Sequence, residues 1–161
     1  MRGMTGIQGR TRSMLVLLRV FMGLLFVGVW SSNLIKGLYG ADYVPFIQGW
    51  IARGTVTPYV DFLRKVVLPH AAVFRSFQMV TELMMGLLLL LGLLTPAASL
   101  VAAGFTVNLL LASRGTPGDW WGTYLLMLAI LVAVAVSQAG RTWGLDSYLA
   151  RRNPRPFLPF Y

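Results

Sequence analysis

Pro69-His70-Ala71-Ala72-Val73-Phe74-Arg75-Ser76-Phe77-Gln78-Met79-Val80-Thr81-Glu82, continued by a run of Leu, Met and Gly from Leu83 to Leu94, is the stretch on which the reading of this chain turns. From Ala71 to Leu94 it is long enough to cross a hydrocarbon core of about 30 Å as one helix. It nevertheless carries Arg75 and Glu82. A charge in the middle of a spanning helix costs roughly 2.5–3.5 kcal/mol unless it faces protein or water. Arg75, Gln78 and Glu82 recur at i, i+3 and i+7, which puts all three on one helical face. One side of this helix is therefore apolar and the other polar, and what covers the polar side is the functional question.

The composition agrees with a membrane setting. Of 161 residues, 57% are hydrophobic and 12% charged, with a mean hydropathy of +0.68. A soluble domain carries about twice that share of charge, about 25%. The formal net charge is +9. Because the charges flank apolar runs, they are assigned to topology and lipid headgroups, and nucleic acid is set aside as a partner. Cysteine is absent and His70 is the single histidine. Thiolate-ligated iron–sulfur clusters, disulfides and c-type haem attachment are thereby excluded, as is a bis-histidine haem within one copy. Electron transfer would need an organic cofactor, a quinone or another subunit.

Working outward, four spans are expected at about 13–34, 71–94, 96–113 and 121–139, in a single membrane domain over 13–152. A basic, Gly-rich arm (1–12) precedes it and a Pro/aromatic tail (153–161) follows. Arg2, Arg10 and Arg12 ahead of an apolar run imitate a signal peptide. Arg19 interrupts that run, however, and Val29-Trp30-Ser31-Ser32-Asn33 offers no small-x-small cleavage site, so a retained anchor is expected. Gly23 and Gly28 would admit a neighbouring helix closely, as would the small residues Ala97 to Gly104 of the third span. The connection 35–68 holds two short amphipathic segments suited to the membrane interface. One is Pro45–Ala52 with Phe46, Ile47, Trp50 and Ile51 on one side. The other starts at Thr57-Pro58, a cap-plus-proline signal repeated at Thr95-Pro96, and runs through Tyr59, Phe62, Leu63 and Val66. Trp120-Trp121 mark an interface. A last interfacial helix from Trp143 to Arg152 is expected to bury Leu145, Tyr148 and Leu149. The fold class is an all-α integral membrane protein, a four-helix bundle with interfacial segments between helices 1 and 2 and after helix 4. Four spans put both termini on one side, and the arginines there place them in the cytoplasm of a prokaryotic cell.

Glu82 and Arg75 lie about 10.5 Å apart along the axis and do not pair directly. Glu82, expected near mid-membrane, either bonds to another helix and fixes the bundle, or carries a proton during quinone chemistry. Arg75 is expected to reach headgroups, and Arg19 is a candidate partner for Glu82. His70 is read as an interfacial side chain or helix cap, with quinone hydrogen bonding or axial ligation of a porphyrin as the sharper alternatives. Gln78 and Asn108 are further polar candidates for a cofactor. Asn108 and Thr106 are equally explained as bonds between helices. The methionines within the spans are read as packing. Neither a metal cluster nor a hydrolytic or nucleotide-binding motif is present.

Three groups of residues together resemble the DoxX/DoxD family of small membrane proteins. The first is Leu18-Arg19-Val20-Phe21-Met22-Gly23 through Lys36-Gly37. The second is Phe62 to His70 followed by Thr81-Glu82-Leu83-Met84-Met85-Gly86 and the Gly92-Leu93-Leu94-Thr95 turn. The third is Gly144-Leu145-Asp146. The likeness covers roughly 14–152 and leans to the DoxD branch through the long first connection and Asn108. It implies a four-helix bundle and points to Glu82, Arg19 and Lys36. It also implies kinship with the large subunit of a thiosulfate:quinone oxidoreductase, which works with a second subunit. A membrane subunit of a quinone-linked redox complex is the first expectation. A non-catalytic accessory subunit of a respiratory or photosynthetic complex is the second, and a small-molecule or ion transporter the third.

Overall fold

A computed structural model describes residues 2–115, 118, 120–137 and 139–152, with side chains from Thr11 to Arg151. All regular structure among them is helical: α1 (Arg2–Ile35), α2 (Tyr43–Arg53), α3 (Thr57–Phe62) running into a π-helical stretch (Leu63–Val67), α4 (Ala71–Leu91), α5 (Thr95–Ser113), α6 (Gly122–Ser137), α7 (Ala139–Thr142) and α8 (Leu145–Arg152). Three segments are long and apolar enough to cross a membrane, Thr11–Ile35, Ala71–Leu91 and Thr95–Ser113, and α6 is a shorter apolar helix. The first helix is continuous from Arg2. The expected tail 153–161 lies outside the described residues.

Glycine decides where the first two long helices meet. A Cβ on Gly23 would lie 2.8 Å from the Leu90 backbone nitrogen, and one on Gly86 would lie 3.0 Å from that of Val27. In a bilayer, where lipid is as apolar as leucine, such backbone proximity is a main source of helix association. Gly28 takes no part, since a Cβ there meets nothing within 4 Å. On the other side of the bundle α5 lies along α6, burying Ala98, Ala102 and Ala103 against Met127 and Leu131. Met22, Phe26, Met85 and Leu89 complete this core, which confirms packing roles for three of the span methionines. Thr106 bonds back to Ala102 O of its own helix and so does not link helices.

A second core forms where the first connection folds back on the bundle. Tyr43, Ile47, Tyr59, Leu63, Val67 and Ala112 are buried together there. Helix α2 begins at Tyr43, earlier than Pro45, because proline is tolerated in a first turn where its missing N–H has no partner to lose. The widened turn that follows α3 is closed by Leu68 N–H on Leu63 O, and it brings Leu63 and Val67 inward while Phe62 and Val66 stay exposed. Neither threonine–proline pair works as a local cap. The N-caps are Val56 and Leu94, with no capping side chain of their own. In α8, Leu145, Tyr148 and Leu149 are exposed, and Asp146 is the buried residue. Among the described residues, the apolar side of α8 is left open.

Candidate functional site

The polar face of α4 is covered by the end of α1 and the turn after it. Helix α1 stops at a Schellman turn. Gly37 takes the left-handed conformation (φ +72°), Leu38 N–H donates to Asn33 O (3.0 Å) and Gly37 N–H to Leu34 O (3.2 Å). This reversal carries Tyr39 back over α4. Glu82, 1% exposed, accepts from Asn33 Nδ2 (3.0 Å) and from the Tyr39 hydroxyl on one oxygen, and from Gln78 Nε2 (2.9 Å) on the other. All three partners donate, an arrangement that suits an acceptor-only carboxylate. Burial, and then the hydrogen bond and charge of Glu82, push the Tyr39 phenol well above its ordinary range, so Tyr39 stays a donor at neutral pH. Its ring lies against Trp30 at 6.5 Å.

Measured against α1, Glu82 is level with Asn33, close to where that helix ends. It is near the end of α1 but at the middle of α4, the twelfth of its 21 residues. The two levels differ because α4 starts about three turns before Glu82 and so overshoots the end of α1. Arg75 shares the face but donates to Gly40 O (3.2 Å), holding the first connection in place instead of reaching outward. Gln78 touches Glu82 directly. Lys36 is exposed. His70 is also exposed, with its Nδ1 2.9 Å from Val66 O, so neither residue joins the cluster.

Gln78 also lines a cavity of about 280 Å³ between α2, α3, α4 and α5. Its wall includes Trp50, Tyr59, Phe74, Phe77, Phe105 and Asn108. The Tyr59 hydroxyl donates to Asn108 Oδ1 (2.9 Å), and burial raises the Tyr59 phenol above its usual range, with a further push from Tyr43. The structure thus brings Gln78 and Asn108 to one chamber, with Glu82 immediately behind Gln78.

Arg19 does not meet Glu82. It sits near the middle of α1, about four turns from Asn33, donating from Nη1 to Ala139 O (3.2 Å) and from Nη2 to Trp143 O (2.6 Å). Gly92, left-handed at φ +63°, and Gly144 leave room for its guanidinium, and a Cβ on Gly144 would lie 2.8 Å from Nη1. Beside it Asp146 accepts from the backbone of Leu94 (2.7 Å) and Thr95 (2.9 Å), while its own N–H donates to Gly92 O (2.9 Å). The cap of α5 is therefore supplied from the far end of the chain. Sequence reasoning missed this role for Asp146, as it missed Asn33, Tyr39 and Tyr59. The available signal was scarcity, because a buried position for one of only five acidic residues demands donors.

A family model described as "TQO small subunit DoxD" matches residues 14–155. The description corrects the expected kinship, for it names the small subunit and not the large one. No solved structure matches the chain.

Proposed function

The chain belongs to the DoxD family, and from that premise we propose that it is a membrane subunit of a quinone-linked oxidoreductase of the thiosulfate:quinone type. In this reading α6, with α7 continuing it, is the fourth span, both termini are cytoplasmic, and the cluster around Glu82 faces the outer side of a prokaryotic cell membrane. The chain has no cysteine, so the electrons come from oxidation of the sulfur substrate within the assembled complex. Two-electron reduction of a quinone takes up two protons. Glu82, ionised when all three neighbours donate to it, takes up a proton from the outer side by way of Tyr39 and passes it toward the reduced quinone, returning to the carboxylate.

The observation that carries this reading is the buried carboxylate itself. Glu82 is enclosed by three donors, Tyr39 leading toward the interfacial connection and Gln78 toward the cavity. A purely structural acid would need partners but not this position between a chamber and an exit. The test is quinone-coupled turnover of the purified complex. Glu82→Gln keeps the shape and removes the titratable proton. Turnover is expected to fall by the 10²–10⁴-fold typical of a lost acid–base group, with subunit assembly unchanged. Unaltered turnover in the assembled variant refutes the proton role.

A further inference from the structure

The aromatic chamber has a wet end, a dry end and a side door. The dry end is built by Ile47, Leu63 and Val67, all buried. The door is formed by Phe77 of α4 and by Val101 and Gly104 of α5, with Phe77 64% and Val101 53% exposed. These belong to helices of membrane-spanning length and hydropathy, so the opening faces acyl chains. The wet end is the Tyr59–Asn108 pair together with Gln78. Asn108 spends its carbonyl oxygen on Tyr59, which leaves its amide group to donate elsewhere.

We propose that this chamber is the binding site for the ring of a lipid-soluble quinone, which enters sideways from the bilayer and accepts a hydrogen bond from Asn108. The inference rests on the quinone-linked reading above and adds the location and the recognition chemistry. An acyl chain has no acceptor to offer the Asn108 amide group. A flat ring with carbonyl oxygens accepts from the Asn108 amide group and has Trp50, Phe74 and Phe105 beside it to pack against. Pockets for whole drug-sized ligands hold roughly 300–1,000 Å³. A chamber of about 280 Å³ suits a single substituted ring, with its isoprenoid tail trailing through the door. Gln78, lining the chamber and donating to Glu82, places the ring one side chain away from the carboxylate.

Gly104 supplies the decisive variant. A Cβ there meets nothing within 4 Å, so the Gly104→Leu side chain, four carbons at the doorway, starts into open space. It also replaces a poor helix former with a good one. The full chain in phosphatidylglycerol nanodiscs is photolysed with an azido-benzoquinone bearing a decyl tail, and labelled peptides are mapped by mass spectrometry. Label is expected on the peptides that line the chamber. Gly104→Leu is expected to reduce it at least tenfold with thermal unfolding unchanged. Asn108→Ala, which opens space instead of filling it, is expected to weaken labelling three- to tenfold, the worth of one hydrogen bond. Unlabelled decyl-benzoquinone is expected to compete and n-decanol not. Label elsewhere, label undiminished in Gly104→Leu, or equal competition by decanol overturns the assignment, the last by showing an acyl-chain groove. No turnover is measured, so a failed label removes this site while the Glu82→Gln experiment judges the redox role separately.

Discussion

Removing the Asp146 carboxylate should unfasten the α4–α5 turn. In the native chain its two oxygens hold the N–H groups of Leu94 and Thr95 at 2.7 and 2.9 Å, and Asp146 is 1% exposed. Loss of an ordinary exposed N-cap costs about 0.5–2 kcal/mol. Water cannot substitute at Thr95, which is 0% exposed, whereas Leu94 is 39% exposed, so one fully buried donor is orphaned at about 1–3 kcal/mol. The negative charge at the start of α5 adds a favourable interaction with the helix dipole of about 0.3–1 kcal/mol. Asp146→Ala should therefore destabilise the protein by about 2–4 kcal/mol. Asp146→Asn retains one acceptor and the shape and should lose about half of that. The assay is unfolding of helical circular dichroism under increasing dodecyl sulfate in mixed micelles. Lys65→Ala serves as control, since its exposed pair with Asp61 is worth at most about 1 kcal/mol. An Asp146→Ala loss no larger than that of the control refutes the claim that a distant carboxylate caps α5.

The α1–α4 contact predicts a contrast between two glycines. Gly86→Val brings a branched side chain onto the Val27 backbone and should cost about 1–3 kcal/mol as overpacking, whereas Gly28→Ala, with nothing in reach, should be neutral or slightly stabilising in the same titration. The tyrosines predict an alkaline limit. Tyr39, Tyr43 and Tyr59 are all pushed upward, chiefly by burial. The folded state thus holds these phenolic protons more tightly than the unfolded chain. Their contribution is complete below the unfolded phenol value of about 10 and is lost as pH rises from there through the folded values. Absorbance at 295 nm should show these three ionising only well above pH 10, together with loss of helicity. Ionisation of every tyrosine near pH 10 with the helices intact counts against their burial.

The common face of Arg75, Gln78 and Glu82 was legible because helical spacing is a local property and α4 is regular throughout. So was the need for protein against Glu82, because a charge within an apolar span has few alternatives. The identity of its partners was not legible. Asn33 and Tyr39 reach Glu82 only because Gly37 adopts a left-handed conformation and reverses the chain, and many glycines in apolar sequences do not. The supposed caps at Thr57 and Thr95 failed for a related reason. A threonine–proline pair fits a helix start statistically, but at Thr95 a stronger acceptor arrives from α8. The amphipathic segments of the first connection were visible as short apolar faces. The chamber they enclose was not, since it depends on how α2 and α3 lie across α4 and α5.

The two polar clusters explain how an apolar chain specifies one bundle. Between helices in lipid, burial of leucine against leucine distinguishes no register from any other. Register must come from contacts that a slip would break. Along α1 the chain places Arg19 near the middle and Asn33 near the end, about 21 Å apart, with Gly23 between them. Arg19 fixes α1 to the α6–α8 end through two carbonyls, Asn33 fixes it to α4 through Glu82, and Gly23 admits α4 only where Gly86 and Leu90 pass. A one-turn slip of α4 would part Glu82 from Asn33 and set side chains against Gly23. Glu82 is thus held in register by the same contacts that bring Gln78 to the chamber wall. A structural and a chemical role for this carboxylate are therefore not rivals, because a proton carrier must be positioned before it can deliver.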